Sequence, residues 1–333
     1  YRADSWALFT STETELTERW GLSLGLRYEH WDARYEDQWT DINYPLPPGG
    51  SSCANFDCDP DEDLWGGHIA LSYDFRPGLL QQGHIARGFK AGGFNPSLAA
   101  LQGSAILGPE FITYDSETLM NYELGLKGAW LGGDLVADLA LFYMDRDDAQ
   151  LSQSSQQVPF DPNSFVFVTY NGSAEVHGLE ASAQWRLGEV WQLHGALGLL
   201  ESEIGDTEST RIVSPDAVRR DLAHAPGHTL NLGASFETGE GWFGRLDLNA
   251  IDAFYFDISH NQRSESYTTV NLRLGKAWGP WVLSAWGRNL TDEAYFTRGF
   301  FFGNEPPAFE NTLYTKFGDP RAYGLTLAYR YGD

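Results

Sequence analysis

Thirteen times along this chain every second residue turns large and apolar, and the connections between these runs alternate between short and long. No other feature constrains the fold as tightly. Period two is the signature of a strand with one greasy face and one small or polar face. The final run shows it plainly: Tyr323, Leu325, Leu327, Tyr329 and Tyr331 alternate with Gly324, Thr326, Ala328 and Arg330. The runs span 3–15, 20–34, 64–75, 79–89, 117–130, 134–151, 165–185, 190–203, 228–237, 242–257, 265–278, 281–290 and 319–331. Short turns such as Arg76-Pro77-Gly78, Leu131-Gly132-Gly133 and Gly279-Pro280 join alternate pairs. The remaining connections are long: 35–63, 90–116, about a dozen residues after 151, 204–227, 258–264 and 291–318.

Two observations choose the solvent. Soluble sandwiches and barrels fill the inner face with apolar side chains and do not sort all long loops to one end. Here the less greasy face carries Arg27, Glu29, Glu123, Lys127, Asp138, Glu180, Arg245, Asp247, Arg273 and Arg330. A polar inside, a greasy outside with aromatics near both ends, short turns on one side and long loops on the other describe an antiparallel transmembrane β-barrel. No run approaches 18 apolar residues, so no transmembrane helix is expected. Barrel strands leave no such run. The expected fold is therefore all-β. The last run follows a long loop, so its C-terminus lies on the short-turn, periplasmic side. Counting back thirteen strands starts the first on the long-loop side. Even-stranded bacterial barrels start in the periplasm, so an odd number of strands is expected upstream. Tyr1 opens no signal peptide.

The net charge of -24 argues against nucleic-acid binding, which needs a basic face. Acid is concentrated in 35–63, where Glu36, Asp37, Asp41, Asp57, Asp59, Asp61, Glu62 and Asp63 meet no Lys or Arg. Two readings stand: a solvated loop, or a divalent-cation-binding loop. Cys53 and Cys58 lie in the same stretch, spaced to close a small surface disulfide in an oxidising compartment. Two thiolates without a nearby His make a poor metal site. No catalytic motif survives inspection, and neither enzymatic activity nor a cofactor is expected. Asp145-Arg146-Asp147-Asp148 reads as a solvated strand end, and Arg87-Gly88-Phe89-Lys90 lacks the G-K-[ST] of a phosphate loop. Contiguous loop aromatics usually mark a binding surface. Arg298, Phe300, Phe301 and Phe302 are the leading candidates, with packing of loop on loop as the alternative. Trp39, Tyr44 and Phe94 follow.

Several stretches resemble TonB-dependent outer-membrane receptors. They are Arg87-Gly88-Phe89-Lys90-Ala91-Gly92-Gly93-Phe94-Asn95, Asn121-Tyr122-Glu123-Leu124-Gly125-Leu126-Lys127, Asn171-Gly172-Ser173-Ala174-Glu175-Val176-His177-Gly178-Leu179-Glu180, Gly287-Arg288-Asn289-Leu290-Thr291-Asp292-Glu293 with Tyr295, and Gly318-Asp319-Pro320-Arg321. They follow in the family's order over most of the chain. The resemblance implies a 22-stranded barrel of which residues 1–333 supply roughly strands 10 to 22, without the plug domain. It implies placement in the outer membrane of a Gram-negative bacterium, among its lipid and lipopolysaccharide. The implied partners are the plug, the TonB energy-coupling complex acting through that plug, and a scarce ligand such as a ferric siderophore. Tyr331-Gly332-Asp333 departs from the family's aromatic, often Phe, terminus. The strong negative charge fits an anionic chelate poorly, leaving sugars and cobalamins open. A passive porin or secretion pore, and a soluble β-rich carbohydrate-binding module, are the other expectations.

Overall fold

The computed structural model describes residues 1–35, 60–95, 111–156, 161 and 165–331. Its strands are β1 (Arg2–Glu15), β2 (Trp20–Arg34), β3 (Asp61–Arg76), β4 (Leu79–Lys90), β5 (Gly93–Phe94), β6 (Thr113–Tyr114), β7 (Glu117–Trp130), β8 (Leu135–Gln156), β9 (Phe165–Leu187), β10 (Trp191–Ile204), β11 (His228–Glu237), β12 (Trp242–Ile251), β13 (Tyr267–Trp278), β14 (Trp281–Arg288), β15 (Phe296–Phe302), β16 (Thr312–Phe317) and β17 (Ala322–Tyr329). A six-residue helix, α1 (Glu208–Val213), lies in a long loop. Thirteen strands form one sheet in the order β1-β2-β3-β4-β7-β8-β9-β10-β11-β12-β13-β14-β17. Each sheet strand pairs antiparallel with its predecessor, matching the thirteen runs read from the sequence. The sheet is an incomplete barrel wall with β1 and β17 as its free edges.

The register settles which way every side chain points, because period two sends alternate residues to opposite faces. Leu24, Ile69, Ile85, Tyr122, Tyr143 and His177 share one outward row across six strands. Outward apolar side chains stay exposed, Leu325 at 77% and Leu124 at 49%. That is tolerable only in hydrocarbon. Aromatics band this face at two levels. Near the short turns lie Trp20 against Tyr73, Trp191 against Phe236 and Trp281 against Tyr329. Near the long loops lie Trp6, Tyr28, Tyr122 and Tyr143. Trp65 and Tyr73 lie on one outward face of β3, about 26 Å apart along the strand at ~3.3 Å per residue. Tilt shortens that span toward the roughly 25 Å of a barrel's apolar band.

The lumen face is polar, and several of its groups pair with one another. Arg27 pairs with Glu29, Arg245 with Asp247, and His194 lies 3.0 Å from Asp247. Ser182 donates to Asp138, and Asn231 to Asn249. The glycines with positive φ sit at the short turns: Gly78, Gly132, Gly133, Gly188, Gly241 and Gly279. At Gly241 (φ 83) a Cβ would also collide with the Ala277 carbonyl, so the turn demands glycine twice over.

The buried core lies outside the wall. β8 and β9 run 22 and 23 residues, far past the outer aromatic band. Their tips bury Ala149, Leu151, Val166, Val168 and Tyr170 against Val213, Ala217, Ile258 and Phe111. Two sequence expectations change here. The run 242–257 stops being strand at Ile251, where the chain leaves the sheet and builds this outer cap. The loop 291–318 contains the hairpin β15–β16.

Asp145-Arg146-Asp147-Asp148 is also more than a solvated end. Asp148 takes positive φ in a bulge between Arg146 and Ala149. Arg146 crosses to Glu117, with Nε and Nη2 donating at 2.7 and 3.0 Å, and the Gln150 backbone N–H adds a third bond at 2.8 Å. Burial raises the Glu117 pKa, but Arg146, Gln150 and Lys90 more than offset it and hold the carboxyl below its ordinary 4.5. A lowered carboxylate stabilises the fold above its unfolded value and loses that contribution as pH falls through the folded one. Protection from hydrogen exchange at residues 149–156, taken relative to the intrinsic rate at each pH, should therefore fall below about pH 4.5. Glu117→Gln should remove that pH dependence and cost about 2 kcal/mol at pH 7. Unchanged exchange in the variant at both pH values would refute the account.

Candidate functional site

The long loops converge on one cluster. Loop 205–227 delivers Arg220, which is 8% exposed. Its Nη1 donates to the His260 carbonyl (2.8 Å) and Asn261 Oδ1 (2.7 Å), and its Nη2 to the Asp257 and Ile258 carbonyls (both 2.8 Å). One guanidinium thus straps loop 252–266 into shape. Its planar fork makes this possible where a lysine's single head could not. Tyr255 carries two guanidiniums on its ring, Arg220 at 4.2 Å and Arg263 at 4.8 Å. Such cation–π contacts are worth about 0.5–2 kcal/mol each. Backbone bridges join Tyr255 to Ala223 and Arg263. His224 packs on Phe254 at 5.2 Å. Desolvation first, then nearby Arg298, pushes its imidazole below the ordinary value.

His260 joins this loop to the hairpin. Its Nδ1 lies 2.9 Å from Asp257 Oδ2, and Asn311 Nδ2 lies 2.8 Å from its Nε2. Its ring stacks on Phe301 at 3.6 Å and 13°. Phe301 is 5% exposed, so it is a packing residue that holds hairpin to loop. Phe300 is exposed beneath Arg298, whose guanidinium sits 4.9 Å from the ring. Phe302 meets Phe165 at 5.2 Å, linking the hairpin to the tip of β9. The geometry thus splits the contiguous aromatics, with Phe300 presented to solvent beside Arg298, Phe301 turned inward, and Phe302 between.

Phe94 belongs to a second cluster, stacked on Tyr35 and packed over Trp31, Ala33 and Leu64 at the tops of β2 and β3. Trp39, Tyr44, Cys53 and Cys58 lie outside the described residues. Among the described residues no group of three His, Cys, Asp or Glu is arranged to hold a metal ion. Sequence reading missed Arg220, Tyr255 and Arg263. The signal was present in Phe254-Tyr255-Phe256, but those aromatics were absorbed into the strand run 242–257. The cluster presents Arg263, Arg298 and Phe300 at its surface, with Tyr255 half-buried behind them. That chemistry suits an anionic, planar ligand.

A family model described as "TonB dependent receptor-like, beta-barrel" matches residues 1–290. The pesticin receptor of Yersinia pestis is 24% identical over 310 residues, covering 92% of this chain and 42% of that protein. The metal-pseudopaline receptor CntO of Pseudomonas aeruginosa is 23% identical over 335 residues, covering 98% and 41%. The ferric yersiniabactin uptake receptor FyuA from Yersinia pestis superposes with a TM-score of 0.74 at 20% identity, over 99% of this chain and 46% of that one. The chain spans about two fifths of the length of these curated relatives.

Proposed function

The chain belongs to the TonB-dependent receptor family, as part of its outer-membrane β-barrel, and on that premise we propose that it supplies the lipid-embedded wall and the ligand-gathering mouth of an uptake receptor for an anionic metal chelate of the ferric siderophore class. One observation carries the reading: Arg220 and Arg263 on the ring of Tyr255, with Arg298 over exposed Phe300 beside them. Three arginines meet in this cluster although the chain as a whole carries a charge of -24. Local field, rather than net charge, steers a charged ligand. Strands elsewhere in the intact receptor close β1 onto β17, since an open edge cannot face lipid. The lumen face, with Arg245, Asp247 and His194, lies against a plug. An energy coupler acts on that plug from the periplasm, and this chain performs no covalent chemistry.

The test is tryptophan fluorescence quenching of the intact receptor by a ferric tris-catecholate, ferric citrate, free Cu²⁺ and a neutral oligosaccharide. An anionic ferric chelate is expected to bind tightest. Arg263→Ala and Arg298→Ala are each expected to weaken it about tenfold. Preference for the oligosaccharide would support the carbohydrate-binding alternative. Equal weak response to all four probes would support a passive pore.

A further inference from the structure

One outward row of the wall is broken. Across β3, β4, β7 and β8 it reads Leu71, Gly83, Leu124, Leu141. Leucine would fit at the second position as at the others, since a Cβ on Gly83 meets nothing within 4 Å. The missing side chain leaves a groove of about 580 Å³ running down β4, walled by Leu71 and Leu124 and roofed by Ile85 and Tyr122. Two residues beyond Ile85 on the same strand face stands Arg87, one step above the Tyr122–Tyr143 aromatic level. Its guanidinium lies 4.0 Å over the Trp65 ring. Nη1 donates to the Trp65 carbonyl and Nη2 to Thr118 Oγ1. An arginine has five N–H donors, so donors remain free. No carboxylate among the described residues pairs with it. A lipid-facing cation at the headgroup level, with no carboxylate partner among the described residues, calls for an anion from the membrane.

We propose that β4 is a docking site for one phosphorylated outer-leaflet lipid, an acyl chain in the Gly83 groove and a phosphate on Arg87. The two halves of the site fit the two halves of such a molecule. The groove lies at hydrocarbon depth and the cation at the aromatic boundary. Arginine matches phosphate bidentately. The site lies on the outside of the wall, opposite the lumen, and is independent of what the receptor imports. Asp145 ends the Arg87 row two strands away, so a metal-bridged phosphate is the competing arrangement, and the test separates them.

Native mass spectrometry of the intact receptor in detergent, titrated with diphosphorylated lipid A and with its dephosphorylated form, reads the site directly. Wild type should retain one phosphorylated molecule at least about tenfold more tightly than the dephosphorylated one, with or without EDTA. Gly83→Leu fills the groove without a clash and should weaken retention about tenfold. Arg87→Gln should bring the two lipids within about twofold of each other. Lys276→Gln, which removes a lipid-facing cation over Trp242 at the opposite aromatic level, should change nothing. Heat-modifiable gel migration checks that each variant has formed a barrel; if Gly83→Leu does not assemble, Arg87→Gln decides alone. Retention within twofold of wild type in the assembled variants, no dependence on the phosphates, or loss of binding in EDTA would each overturn the proposal.

Discussion

Leu139→Arg is expected to cost the barrel about 2–4 kcal/mol, and Ala140→Arg, one residue along, well under 1 kcal/mol. Leu139 sits in the outward row Leu126–Leu139–Ala181, halfway between Tyr143 and Leu135 at the two ends of the greasy face of β8. A guanidinium there lies at the bilayer midplane, too far from either headgroup layer to reach water fully. Ala140 lies in the lumen row Gly125–Ala140–Glu180, where an arginine meets water and the Glu180 carboxylate. The measurement is urea unfolding of the receptor in lipid vesicles. The contrast matters more than either value, since both substitutions add the same side chain to the same strand. Equal penalties would mean that the assignment of faces, and with it the membrane reading, is wrong.

Face assignment was legible in the sequence because a strand encodes it locally. Once Leu135, Leu139, Leu141 and Tyr143 alternate with Asp138 and Ala140, the pleat leaves no freedom. The sheet order was legible for a related reason: every neighbour in this wall is the previous strand, so short and long loops suffice to order it. The outer cap obeys neither rule. Arg220, Tyr255, His260 and Phe301 come from three different loops and meet through long-range hydrogen bonds and ring stacking. No period in the sequence carries those contacts. Phe254-Tyr255-Phe256 misled in a specific way: its alternation continues that of β12, and only the register shows that pairing stops at Ile251. Contiguity of Phe300, Phe301 and Phe302 marked the hairpin correctly as aromatic. It could not say which ring turns inward, because in a β-hairpin neighbours point opposite ways.

Arg220→Ala is expected to weaken chelate binding by about two orders of magnitude, roughly 2.7 kcal/mol, while the wall stays intact. The side chain makes its four side-chain hydrogen bonds within loop 252–266 and is the only described link of its kind from loop 205–227. Removing it frees the buried Ile258 carbonyl, the half-buried Asp257 and His260 carbonyls and the Asn261 side chain, the buried one costing about 1–3 kcal/mol if left unsatisfied. The loop will instead open to water, and Tyr255 will lose its register with Arg263. His260 will then lose its stack on Phe301, so damage in one loop spreads to the hairpin. Arg220→Lys separates charge from shape: it keeps the cation but cannot fork across four acceptors, so an intermediate loss of about tenfold is expected. The checks are chelate titration together with hydrogen exchange over 252–261, which should rise in both variants and most in the alanine one. Exchange over β11 to β13 within the membrane should not move. If Arg220→Lys binds as well as wild type, the site needs only positive charge, and the strapped loop has no part in recognition.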